Sequence, residues 1–174
     1  YGILMNFYGY KDINNVVSAF WHKEEFLLHQ KSKLNLFFEK KSFYNLPEPS
    51  TSPFLYYKKK YNEQDILDFN NIKMSVHICY EGLFPEAKFR RKDMSIVQSD
   101  YSWLSGNHKY DNILINGSIL SKFSVSPNTP LVNIQNYGGT VLIDKDWKID
   151  MNLFKRSKTE PFFIYTDVSN ALNY

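Results

Sequence analysis

Short apolar and aromatic runs, broken by polar residues, open the chain. Ile3 to Tyr8, Val16 to Trp21 (after the turn signal Asn14-Asn15), Phe26 to His29 and Leu34 to Phe38 each have the length and composition of a strand. Their spacing suggests antiparallel neighbours on one sheet. Ser42 to Pro53 carries Pro47, Pro49 and Pro53, which lack amide donors and block helix, so this stretch reads as loop. Glu63 to Phe69 fits a short helix or an edge strand. Lys73 to Cys79 reads as a strand that ends on the cysteine. Phe84 to Lys92 then reads as a helix with Pro85 in its first turn.

Met94 to Gln98 is a second buried strand. His108 to Phe123 has a helical stripe at Ile113, Leu114, Leu120 and Phe123, interrupted by Gly117 and ended by Pro127 and Pro130. Leu131 to Gln135 is a strand. Thr140 to Ile143 and Trp147 to Ile149 form a hairpin about Lys145-Asp146, and Phe162 to Thr166 is a last strand. Strands, then strand–helix units, then a hairpin predict a mixed α/β (α+β) fold. With no internal repeat and no break in composition, residues 1–174 read as a single domain.

Composition narrows the function. A chain of 174 residues, 43% of them hydrophobic, can bury a real core. The net charge of +3 is too small for a nucleic-acid footprint. Two basic runs, Tyr57-Lys58-Lys59-Lys60-Tyr61 and Arg90-Arg91-Lys92, read first as solvated turns or helix ends, and could touch phosphate or a lipid headgroup. Phe54 to Tyr57 is an aromatic loop that suits core packing, or a membrane interface. No apolar run approaches the roughly 20 residues that span a bilayer, so this segment is expected to be soluble.

One cysteine excludes an internal disulfide. His22, His29 and His108 lack metal-ligand spacing, and Gly138-Gly139 lacks the helix a phosphate loop needs. No metal or cofactor is expected. That leaves Cys79. A side chain at the end of a strand lies at the rim of a sheet, where α/β proteins bind ligands. A nearby helix N-terminus favours a thiolate, the form that attacks a carbonyl. Taken alone, a single cysteine is more often a small core residue. His77 precedes Cys79 by two and shares its strand face, so a Cys–His dyad is conceivable beside the plainer reading of a core histidine.

The residues around Cys79 carry a resemblance. Ile78-Cys79-Tyr80-Glu81, followed by Phe84-Pro85-Glu86, resembles the cysteine motif of the nitrilase (carbon–nitrogen hydrolase) superfamily. It is most similar to the bacterial apolipoprotein N-acyltransferases, where the motif reads Cys-Tyr-Glu and then Phe-Pro-Glu. Upstream, Phe38-Glu39-Lys40-Lys41-Ser42-Phe43 with Pro47-Glu48 resembles that family's Tyr-Asp-Lys-x-His-Leu-x-Pro-Phe-Gly-Glu. Asn15 to Ala19 matches its Asn-Ser-Ala signal. Downstream, Ser99-Asp100-Tyr101-Ser102-Trp103-Leu104 resembles Asn-Asp-Ala-Trp-Phe, and Asn136 to Asp144 resembles Asn-Thr-Gly-x-Ser-x-x-x-Asp. The resemblance runs in order from about Asn15 to Ile149.

That resemblance implies a nitrilase-like α-β-β-α sandwich, here lacking its N-terminal part. It implies Cys79 as nucleophile, Lys40 as catalytic lysine, and Glu48 and Glu81 as supporting carboxylates. Tyr80, Trp103 and Asn136 become substrate-binding candidates. The reaction implied is acyl transfer through a thioester, from a phospholipid donor to a lipoprotein-type amine, at the periplasmic face of a bacterial inner membrane. Two departures stand beside it. The family's general-base glutamate, in a Trp-Pro-Glu-like segment, has no counterpart, since Glu24 and Glu25 sit in the wrong place. Its Arg-Ala-x-Glu helix pattern is replaced by Asn116-Gly117-Ser118-Ile119-Leu120. A small-amide amidase, and a catalytically degenerate module of the kind found in conjugal-transfer proteins, are therefore the competing expectations.

Overall fold

A computed structural model describes residues 2–8, 16–22, 25–31, 66–85, 91–100, 110–136 and 139–159. The opening strands form as expected: β1 (Gly2–Tyr8), β2 (Val16–His22) and β3 (Glu25–Gln30) make an antiparallel sheet in sequence order. A second sheet holds β4 (Ile66–Phe69), β5 (Ile72–Ile78), β6 (Met94–Ser99), β7 (Leu131–Gln135) and β8 (Val141–Ile143), also in sequence order. The three central strands are parallel; β4 and β8 are antiparallel edges. The content is mixed α/β, as the sequence predicts. The strand expected over Leu34 to Phe38, the loop over 42–53 and the last strand over Phe162 to Thr166 lie outside the described residues.

Two-residue periodicity decides which face each strand presents. Met74 and Val76 from β5 and Met94 from β6 meet Phe20 of β2 and Leu67 of β4 in one apolar cluster. The Phe20 and Phe69 rings meet edge to face, with centroids 6.0 Å apart. Ser18 Oγ donates to Gln98 Oε1 at 2.7 Å across the same seam. The two sheets are therefore stacked, with this cluster between them.

The opposite face of the larger sheet carries the helix α1 (Asp111–Val125), and the shorter α2 (Met151–Thr159) closes the β8 edge. Here the stripe read from the sequence is corrected. Leu114 is buried, but Ile113, Leu120 and Phe123 are exposed, Phe123 at 72%. The buried face is instead Leu114, Ser118, Ser121, Lys122 and Val125. The reason lies in the sheet below, whose outer face is unusually polar. Asn133 Nδ2 donates to Ser118 Oγ, and Ser99 Oγ donates to Asn133 Oδ1, both at 2.9 Å. Gly82 sits so close that a Cβ there would lie 3.0 Å from Ser121 Oγ and 3.1 Å from Val97. Small hydroxyl side chains fit this approach and leucine would not.

Two other readings change. Residues Phe84 to Lys92 do not begin as a helix. A 3₁₀ turn over Cys79–Leu83 comes first, Phe84 is extended, and 86–90 lie outside the described residues. The undecided stretch before β5 resolves as an edge strand. Asn70 and Asn71, both at positive φ (51° and 66°), make the tight turn from β4 into β5, a conformation asparagine tolerates well. Among the described residues, no helix is long and apolar enough to cross a membrane.

The α2 helix starts with a side-chain cap. Asp150 Oδ1 accepts from the Asn152 and Leu153 amides at 3.0 and 2.9 Å. Leu153 and Phe154 then bury against β8, and Ser157 Oγ accepts from the Gly139 and Thr140 amides. Replacing Asp150 by Ala should cost about 1 kcal/mol, read as a lower urea midpoint with unchanged slope.

Candidate functional site

The parallel strands β5, β6 and β7 end on one edge of the sheet, and the candidate residues gather there. Cys79 is the first residue after β5 and opens the 3₁₀ turn with a φ of 49°. Positive φ is costly for a residue with a Cβ, and such strain concentrates at functional positions. Here it turns the chain sharply out of the strand and leaves the thiol half-buried at the rim.

Glu81 lies two residues further round this turn and is 5% exposed. Its Oε2 accepts from the Ile78 amide at 2.9 Å, so the carboxylate folds back over the start of the turn. The same oxygen meets His29 Nε2 of β3 at 2.9 Å. A carboxylate accepts only, so the ring's proton is assigned to Nε2. This contact joins the cysteine turn to the smaller sheet, 52 residues away in sequence.

Lys31 follows β3 directly and is 4% exposed. It stands two positions after His29, just beyond the end of the strand. A buried ammonium needs compensation. Among the described residues, Lys31 and Lys122 are the buried lysines and Glu81 is the buried carboxylate. Lys122 lies on α1, bonded to the Ser126 and Thr129 carbonyls.

Of the residues singled out in the sequence, Cys79, Tyr80, Glu81 and Asn136 are in view. Tyr80 packs its ring edge-on to Phe84, centroids 4.8 Å apart. Asn136 sits at the end of β7, its amide donating to the Ser99 carbonyl at 3.3 Å. It shares an edge with Cys79, two strands along. Lys40, Glu48 and Trp103 lie outside the described residues. The conceivable Cys79–His77 dyad is not made: His77 Nε2 bonds Ser75 Oγ at 3.1 Å, within a buried network that also takes in Ser95 and Lys92. Sequence reading tested His29 only as a metal ligand and passed over Lys31. No grouping of His, Cys, Asp and Glu among the described residues could hold a metal ion. Compared with protein-family models, curated proteins and solved structures, the chain shows no match to any of them.

Proposed function

We propose that this chain is a nitrilase-like catalytic domain in which Cys79 takes an acyl group from an ester donor and passes it to an amine. The observation that carries the reading is the placement of Cys79. It stands at a strained elbow at the end of a central parallel strand, with the buried carboxylate of Glu81 folded beside it. A sharp strand-to-helix turn that lifts a nucleophile above a sheet is a recurrent way to expose it. The stacked sheets with helices on one outer face are compatible with three of the four layers of the α-β-β-α sandwich.

The chemistry assigns further roles. The thiolate attacks the ester carbonyl, the alcohol leaves, and a thioester remains until an amine attacks it. Positive charge near the developing oxyanion lowers the barrier. Lys31 joins Lys40 as a candidate for that role, because it is buried directly after β3. Counted from Lys31, the family motif also aligns more closely: Leu34, Phe37 and Glu39 fall on its Leu, Phe and final Glu. Tyr80, Asn136 and Trp103 are the substrate-binding candidates. The acyl-donor class proposed is a phospholipid at a membrane surface, on the periplasmic side.

A second reading, a degenerate module with an assembly role, is favoured by α1. That helix lacks the charged pair of the motif and exposes Ile113, Leu120 and Phe123. Incubation with phospholipid vesicles separates the readings. Acyl transfer predicts a stable increase in intact mass by one acyl chain, discharged by a primary amine. An amidase would instead release ammonia from simple amides, and an assembly module would do neither.

A further inference from the structure

We infer that Trp147 is a lid over the Lys122 amine and that the two make a proton-operated latch: the lid closes on the neutral amine and loosens when the amine takes up a proton. The latch is independent of the acyl-transfer reading. Lys145-Asp146-Trp147 is a three-residue connection following β8. The Asp144 amide donates to the Lys148 carbonyl at 3.0 Å, the Trp147 amide to the Asp144 carbonyl at 3.2 Å, and the Lys148 amide to Asp144 Oδ1 at 2.8 Å. Trp147 closes this turn at a φ of 65°, a position that glycine usually takes. A bulky residue there is strained, and such strain persists only where the surroundings hold it. The neighbour that holds the ring is Lys122, whose Nζ lies 5.1 Å from its centroid. The lysine is 0% exposed, while the ring stays 41% exposed. A strained, half-exposed ring resting on one buried amine is placed to swing, unlike a side chain locked in the core.

The direction of the latch follows from what burial does to the amine. Its Nζ donates to the carbonyls of Ser126 and Thr129. Asp144 and Asp146 on the turn favour the ammonium, but desolvation is the larger effect and brings it down from 10.5 to about 8. Residues 126–130 contribute no titratable side chain, and Lys145 and Lys148 on the turn are exposed. With the ring swung away, water reaches the amine and returns it towards its ordinary value. The open form therefore holds the proton more tightly than the closed form. Protonation favours opening, and loss of the proton favours closing. Between about pH 8 and 10.5 the closing constant should grow by about tenfold per pH unit, and it is level on either side of that window.

The test uses the full chain carrying Trp21→Phe and Trp103→Phe, which leaves Trp147 as its one tryptophan. Acrylamide quenching of the Trp147 emission, corrected for lifetime, is followed from about pH 7 to 10.5. The quenching constant should fall about twofold or more across that range as the lid closes, and should stay level once Lys122→Met is added. A constant or rising value in the parent protein overturns the inference, and so does an equal fall in the Lys122→Met protein. The lid is checked separately by the titration of Lys122 itself, read by NMR of protein made with 13C-labelled lysine. In Trp147→Gly the backbone keeps its positive φ without strain, but the ring is gone. The Lys122 resonance should then titrate about one pH unit or more higher than in the wild type. A resonance that titrates alike in both proteins overturns the lid. Neither readout involves acyl transfer, so the latch and the proposed function fail separately.

Discussion

Glu81→Ala should destabilise the protein by about 3 kcal/mol, while Glu81→Gln should cost about half of that or less. The carboxylate is buried and one oxygen serves two donors, the Ile78 amide and the His29 ring. Alanine removes this acceptor from both, and each buried hydrogen bond to a charged group contributes about 1.5–3 kcal/mol. It also deletes the one buried carboxylate among the described residues, while Lys31 stays buried. Glutamine keeps an oxygen that can accept from Ile78. Urea unfolding of the three proteins at pH 7 checks the ranking. Equal small losses for both variants would show that Glu81 does not hold the turn.

Lys122 is the second large effect, and its signature lies in the pH dependence. The side chain is fully buried under α1. Its Nζ donates to the Ser126 carbonyl at 2.8 Å and to that of Thr129, and lies 5.1 Å from the centre of the Trp147 ring. Burial pushes its ammonium down from 10.5 to about 8, against the opposing pull of Asp144 and Asp146. An unfolded chain would hold that proton up to about pH 10.5, so between these values the unfolded state binds more protons than the folded one. Stability gained from Lys122 therefore rises from pH 8 to 10.5, by about 3 kcal/mol in full, and is lost as the pH falls through the same window. Lys122→Met removes this gain. The stability of wild type relative to Lys122→Met should rise by that amount across the window, with other titrations cancelling in the difference. Parallel curves would contradict the assignment.

How far the sequence could be read depended on what kind of signal each element carries. The runs that became β2, β5, β6 and β7 were legible because each is a short apolar-rich run of strand length bounded by polar or turn residues. Cys79 and Glu81 were legible because a strand end and a short motif coincide. The direction of α1 was not, since its exposed face is the more hydrophobic one. Only the polar outer face of the sheet, with Ser99 and Asn133, explains why Ser118 and Ser121 turn inward. The α2 helix was missed although Asp150 is a recognisable cap. The short hairpin before it drew attention to a two-residue period instead. Asn70-Asn71 was a turn signal of the same kind as Asn14-Asn15 and went unused.

At the site, His29 and Lys31 were hidden for a physical reason. Each looks like an ordinary polar residue near the end of a strand. Their significance comes from the stacking of two sheets, which brings His29 against Glu81 across 52 positions. Spacing along the chain cannot show that. Counting the lysine motif from Lys31 as well as from Lys40 would have exposed the choice between them.

The central claim is that Cys79 is the nucleophile of an acyl-transfer site, and one measurement tests it directly. Wild type and Cys79→Ala are incubated with a phospholipid donor, and the modified peptide is mapped by mass spectrometry. The account predicts one acyl chain on Cys79 in the wild type, removed by hydroxylamine at neutral pH as a thioester is, and no adduct on Cys79→Ala. An adduct of equal yield on Cys79→Ala, or a wild type that stays unmodified, would contradict it.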